Sequence, residues 1–231
     1  MAYLKGKHNS QLALDPNYPD IDYETFKIDK DWTHFYGDTS EAILPNAPDP
    51  LGKSVDLRIM VDSDHSGDKS TMRSCTGFMI FMNISLINWL SKRQPTVETA
   101  FFGAGFVSMK HGVETLRGLC YKLCMMGVPI LGPSYVYGDN MSIIHDTLNP
   151  TSVLKKKSNS IYYHFVREAV AAKEFLTSHI PTLQILSDLL TKVLFGQKCR
   201  NIVQGIIYDI YDHERNYRAL QLVKRVGWTL D

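Results

Sequence analysis

Three aspartates stand where the hydrophobic pattern of the chain would deliver them from separate elements. They are Asp62 in Val61-Asp62-Ser63-Asp64-His65, Asp139 in Tyr137-Gly138-Asp139-Asn140, and Asp188 in Ile185-Leu186-Ser187-Asp188-Leu189-Leu190. Carboxylates that converge from different strands and helices can hold a pair of divalent cations, as a two-metal phosphodiester-cleaving site requires. Asp62 and Asp139 have a plainer reading as turn residues, because aspartate is common after strands. Asp188 weighs against it: its neighbours Leu186, Leu189 and Leu190 are apolar, and an acid among such residues needs a partner, which a shared cation would supply. Asp64 and Asp68 fall near the same mouth and are expected to face solvent, with His65 beside them as a group at the mouth or a bystander.

The elements that position these acids follow from periodicity. Val55, Leu57, Ile59 and Val61 alternate, so residues 55–62 read as a strand ending at Asp62. A polar turn from Ser63 to Arg73 follows, and residues 77–84 and 86–90 read as two further strands around Asn83 in an antiparallel meander. Thr96, after Pro95, is the expected N-cap of a long helix to about Met126, with Leu116, Leu119, Leu123 and Met126 as its buried stripe and Gly127 and Pro129 as its stop. Residues 135–137 form a short strand delivering Asp139, and residues 141–148 a helix ended by Asn149-Pro150. A helix over 160–173, with Ser160 as a cap, a strand over 175–180, and a helix from Thr182 to Leu194 with Asp188 near its middle complete the order. That order implies an α/β sheet covered by helices.

The 231 residues suffice for one domain of about 150 residues with an appendage. Residues 1–54 read as a lead-in, 55–195 as the domain and 196–231 as a helical tail, whose Ile202, Val203, Ile206, Ile207 and Ile210 would pack back on the domain or serve a partner protein. Charge is uneven. Residues 1–56 hold five lysines against ten acids, a balance of −5, so the rest must hold +6 to reach the total of +1. The lead-in also carries Pro16, Pro19, Pro45, Pro48 and Pro50, and its acidity gives it poor affinity for phosphate. Lys92, Arg93 and the run Lys155-Lys156-Lys157 are compatible with nucleic acid, or are simply solvated faces. The first residues turn polar before any hydrophobic run develops, and the longest apolar stretch is too short for a bilayer, so an intracellular location is expected. Cys75, Cys120, Cys124 and Cys199 lack paired metal-ligand spacing and read as reduced thiols.

Six ordered motifs carry a family resemblance. Val61-Asp62-Ser63-Asp64-His65-Ser66-Gly67-Asp68-Lys69, Arg73-Ser74 with Thr76-Gly77-Phe78, and Ser91-Lys92-Arg93-Gln94-Pro95-Thr96-Val97-Glu98-Thr99 come first. Tyr137-Gly138-Asp139-Asn140-Met141-Ser142, Tyr163-His164-Phe165-Val166-Arg167-Glu168 and Ser187-Asp188-Leu189-Leu190-Thr191-Lys192 follow. Together, over roughly residues 55–194, they resemble the ribonuclease H domain of copia-type retrotransposon Pol polyproteins. Ala2-Tyr3-Leu4-Lys5-Gly6 is similar to the end of the preceding reverse-transcriptase region.

The resemblance implies a ribonuclease H-like fold, a five-stranded mixed sheet with helices on both faces. It also implies four carboxylates that hold two Mg²⁺ ions and cut the RNA strand of an RNA/DNA hybrid. Asp62, Asp139 and Asp188 match three of the four. The fourth is a glutamate on the long helix, and Gly105 occupies its place in Phe102-Gly103-Ala104-Gly105-Phe106. Glu98 lies seven residues earlier, nearly on the same helical face but roughly 10 Å away along the axis, and Glu114 emerges on the opposite face. Neither can replace the ligand, so weak or incomplete Mg²⁺ binding and little or no nuclease activity are expected. The same resemblance makes His164 and Arg167 candidates for substrate contact or for packing, beside Lys92, Arg93 and Lys155 to Lys157. A hybrid-binding module without catalysis and an interaction module without nucleic acid are the alternatives.

Overall fold

The computed structural model describes residues 10–12, 14–26, 30–40, 45–154, 157–194 and 196–209. In chain order its elements are β1 (Ser10–Leu12), α1 (Thr33–Tyr36), β2 (Leu57–Ser63), β3 (Cys75–Met82), β4 (Ser85–Arg93), α2 (Phe101–Met125), β5 (Ser134–Gly138), α3 (Met141–Leu148), α4 (Ser160–Ala171), β6 (Phe175–His179), α5 (Asp188–Thr191), α6 (Gly196–Ile206) and β7 (Ile207–Asp209). Five strands form one mixed sheet in the order β4-β3-β2-β5-β6. β2 to β4 are the expected antiparallel meander, while β5 runs parallel to both β2 and β6. This is the ribonuclease H-like arrangement that the resemblance implies.

Alternation along β2 sends Leu57, Ile59 and Val61 into the core beneath α2, α3 and α4, where they meet Phe106, Val113, Leu116, Ile143 and Val166. Met60, on the opposite face, joins a second core with Met79, Phe81, Tyr135, Tyr137, Ile185, Leu186 and Ile202. Ile21 and Phe26 of the lead-in belong to that second core, and the Phe26 ring lies 4.8 Å from Tyr135 and 5.3 Å from Tyr137 between centroids. The acidic lead-in is therefore part of what covers the sheet. The tail covers it too: Ile202 and Val203 of α6 are buried, Ile207 belongs to β7, which pairs with β1, and Ile210 lies outside the described residues. Among the described residues no helix is long and apolar enough to cross a membrane.

Two predicted helices are corrected. The long helix begins at Phe101, with Ala100 at its N-cap and no side-chain cap, because the hydroxyl of Thr96 turns to Glu98 Oε1 at 3.3 Å. The helix expected from Thr182 to Leu194 is a single turn starting at Asp188. Residues 181–184 form a turn closed by the Gln184 N–H to Pro181 O bond of 2.8 Å, and the adjacent Ile185 and Leu186 are both buried, so the chain dives into the core instead of keeping one face inward. α4 begins at Ser160 with Asn159 in the cap position.

Asn83 makes the hairpin between β3 and β4 at φ 55°, a conformation that asparagine tolerates well. Its Oδ1 accepts from the Asp56 N–H at 2.9 Å, its Nδ2 donates to Pro16 O at 2.8 Å, and its carbonyl accepts from Arg58 Nη2 at 2.5 Å. Asp56 and Arg58 are both buried there, 3.7 Å apart. Burial pushes the Asp56 carboxyl up to about 6, with Arg58 offsetting only part of the effect. A carboxyl that holds its proton more tightly when folded makes the folded state lose stability as pH rises from its ordinary value of 3.8 to about 6, and no more above that. The stability of wild type minus that of Asp56→Asn is therefore expected to fall by roughly 2–3 kcal/mol between pH 4 and pH 7. Parallel urea titrations of the two proteins across this range test it, and a constant difference refutes it.

Candidate functional site

The register of the sheet brings the first two acids together. β2 and β5 run parallel with Val61 beside Gly138, so Asp62 and Asp139 emerge at neighbouring strand ends. Asp188 arrives from the other side through a close approach. Asp62 pairs across the sheet with Gly77, and a Cβ on Gly77 would lie only 3.0 Å from Leu190 Cβ and 3.1 Å from Ser187 O. The missing side chain lets the turn that begins α5 rest directly on β3. The hydroxyl of Thr191 then donates to Asp62 Oδ2, and Asp188 is buried beside it.

Two lysines partner these acids. Lys192 Nζ lies 2.6 Å from Asp188 Oδ1 and 3.4 Å from Asp62 Oδ2, and Lys198 of α6 pairs with Asp188 Oδ2. Burial raises the Asp188 carboxyl, but the hydrogen bonds from Lys192 and Lys198 outweigh it and hold the group below its ordinary value. Asp62 is shifted the other way: burial raises it, assisted by the charges of Asp139 and Asp188 and opposed by Thr191 and Lys192. Lys192 is itself raised, its burial being outweighed by Asp188, Asp62 and Asp139. The three predicted acids thus form one electrostatic cluster.

Asp139 and Asp62 line a narrow cleft with Val61, Ser108, Ile143 and Gly105. Gly105, in the second turn of α2, lines this cleft too, yet the space before it is filled. The Cδ1 of Ile143 stands where a Cβ on residue 105 would be placed. Asn140 fixes Ile143 there by capping α3, its Oδ1 accepting from the N–H groups of Ser142 at 3.1 Å and Ile143 at 3.4 Å. Beneath the cleft is a buried polar network that sequence reading missed. Ser108 and Thr76 hydroxyls are 2.9 Å apart, and Gln94 Nε2 donates to both at 3.1 Å and to Ala104 O at 2.9 Å. Its one sequence signal is Gln94 in the family motif before α2.

The other candidates scatter. Glu98 precedes the helix instead of lying on it, with its carboxylate against Gly103, and Glu114 is exposed and paired with Lys110 at 2.5 Å. Asp64 does not face solvent freely, since its Oδ1 accepts from the Cys75 N–H, and Asp68 ties its loop through Ser70, Thr71 and Arg93. His65 stacks on Phe101 with centroids 4.4 Å apart. Lys92 is exposed at the end of β4, next to Arg93, whose Nη1 is 2.7 Å from Asp68 Oδ2. Lys157 is exposed, and Lys155 and Lys156 lie outside the described residues.

Arg167 is a correction, because it cannot reach nucleic acid. Only 2% exposed, it donates from Nη2 to Asn149 O at 2.9 Å and Pro150 O at 2.6 Å, and from Nη1 to Ser152 O at 3.3 Å and the Tyr163 hydroxyl. Its guanidinium carbon sits 5.0 Å from the ring centroid of Trp32 and 4.5 Å from that of Tyr163. His164, exposed on the same helix, is 2.8 Å from the Tyr36 hydroxyl through Nδ1. The motif shared with the family docks the lead-in onto α4.

No family model matches the chain. The retrovirus-related Pol polyprotein from transposon RE1 of Arabidopsis thaliana is 28% identical over 155 residues, which cover 67% of this chain and 11% of that protein. The corresponding polyprotein from transposon TNT 1-94 of Nicotiana tabacum is 26% identical over 172 residues, covering 72% and 12%. The chain thus spans about a tenth of the length of these curated relatives. Among solved structures, the N-terminal RNase H domain of rv2228c from Mycobacterium tuberculosis is similar with a TM-score of 0.47 and 12% identity, over 66% of this chain and 99% of that one. The relatives of this chain are retrovirus-related Pol polyproteins of copia-type transposons. Its motifs and its five-stranded mixed sheet are consistent with the ribonuclease H domain of such a polyprotein.

Two Mg²⁺ ions do not fit the residues present. Gly105, where the resemblance would place the fourth ligand, has no side-chain donor, Ile143 fills the space before it, and Asp62 and Asp188 already face ammonium groups. Among the described residues no three histidine, cysteine, aspartate or glutamate side chains are grouped so as to hold a metal ion.

Proposed function

We propose that this chain is a ribonuclease H-type domain of a retrotransposon Pol polyprotein that does not cut RNA/DNA hybrids. The observation that carries the reading is Gly105, which lines one cleft with Asp62 and Asp139 and has no side chain where the family reaction needs a carboxylate. Three acids remain, and the metal pair on which that reaction depends lacks one of its four carboxylates. What such a domain keeps is its place beside the reverse-transcriptase region and contact with a hybrid through exposed cations such as Lys92 and Lys157. An intracellular setting goes with that role.

Incubation of the purified chain with an end-labelled RNA/DNA hybrid in Mg²⁺ or Mn²⁺ is expected to give no more product than Asp62→Asn, while hybrid binding weakens as salt rises. Cleavage that disappears in Asp62→Asn would overturn the reading. Binding insensitive to salt, or none, would leave an interaction module without nucleic acid as the better account.

A further inference from the structure

We infer that Gly105 and Ile143 are one coupled feature, and that the side chain of Ile143 closes the fourth position of the acid cluster as firmly as the glycine vacates it. The steric part stands on geometry alone; its consequence for cleavage rests on the function proposed above.

Glycine inside a helix costs about 1 kcal/mol relative to alanine, so its presence asks for a reason. Backbone conformation is not the reason, because Gly105 is absent from the residues with positive φ. Space is. A Cβ on residue 105 would clash with Ile143 Cδ1 and lie 3.5 Å from Ile143 Cγ1, whereas a Cβ on Gly118, further along the same helix, would meet nothing within 4 Å. Ile143 has little freedom to withdraw: it is β-branched, 2% exposed within the core under α2, and its N–H is bound to Asn140 O at 3.1 Å in the first turn of α3.

A short side chain at 105 presses on the end of Ile143, which must turn against the packed core around it. A glutamate requires more, because its further atoms would continue toward the amide of Asn140, whose Nδ2 is 3.8 Å from the Cβ position, and into a cleft of about 20 Å³, room for roughly one water. It must therefore push Ile143 aside further than a short side chain would. Shortening Ile143 to alanine removes the obstructing carbons and leaves the backbone of α3 and the Asn140 cap in place.

Thermal unfolding of the intact chain and five variants tests this. Ile143→Ala is expected to lower Tm by about 10 °C through the cavity it leaves. Gly105→Ala with Ile143→Ala should fall by clearly less than the sum of the two single changes, since one new methyl group occupies space that the other change vacates. Gly105→Glu alone should lose more than 10 °C or fail to fold, and Gly105→Glu with Ile143→Ala should regain most of that loss. Additive shifts in the alanine cycle, or Gly105→Glu alone unfolding at the wild-type temperature, would overturn the coupling. Hybrid cleavage in Mn²⁺ separates the two levels of the claim: only the paired Gly105→Glu, Ile143→Ala variant should show it. If that variant regains Tm yet does not cleave, the coupling stands and the reading of the lost carboxylate as the cause of silence falls.

Discussion

Replacing Arg167 with alanine should cost about 3–5 kcal/mol of folding free energy, although its hydrogen bonds go to Asn149, Pro150, Ser152 and Tyr163 and not to any acid in the cluster. Its guanidinium serves the carbonyls of Asn149, Pro150 and Ser152 at once, and these have turned inward after α3. Without it they lose a charged donor, at roughly 1–3 kcal/mol for each group left buried and unpaired. The stack on Trp32 and Tyr163 is lost as well, and with it part of the hold on the lead-in. Lysine carries the same charge but not the planar fork, so Arg167→Lys should recover less than half of the loss. Urea unfolding would show a lower midpoint with an unchanged slope. Retention of stability to within 1 kcal/mol in Arg167→Ala would mean that the carbonyls find water, and the docking role would fail.

Phe26→Ala should be comparably damaging, at about 3–5 kcal/mol, even though the residue belongs to a segment whose composition suggests a loose lead-in. The ring is 4% exposed and packs on Tyr135 and Tyr137, so its removal opens the second core over the centre of the sheet. A change of less than 1 kcal/mol would show that the segment from 14 to 26 rests on the sheet without stabilising it. The same result would favour treating residues 55–195 as a self-sufficient unit.

Particular residues explain what could be seen in the sequence. Leu57, Ile59 and Val61 alternate because one face of β2 is buried under α2, so the strand and its closing Asp62 were legible. Residues 141–148 were legible as a helix since Asn140 caps it and Asn149-Pro150 ends it. The turn before Asp188 was not, because Leu186, Leu189 and Leu190 have helical spacing while burial on opposite sides of a bend produces the same string. Asp62, Asp139 and Asp188 were found because the motifs name them. Their lysine partners were not, since the isoleucine stripe of α6 suggests that the helix packs back but not that Lys198 then reaches Asp188. Arg167 stayed open between substrate contact and packing, because nothing local tells a surface arginine from one whose guanidinium is enclosed by three carbonyls. Ile143 belonged to a correctly read helix, yet nothing in that helix says which glycine it faces.

If, as proposed above, a carboxylate was lost at residue 105, the contact between Ile143 and Gly105 would also act as a ratchet on descent. From the present pair, regaining a carboxylate first meets a filled space, and emptying the space first leaves a cavity, so each route back to a four-acid site begins with a less stable protein. A lineage in this state is expected to accumulate further changes around the cleft more readily than to recross that valley, and the loss of one functional group becomes permanent through the packing of an apolar one.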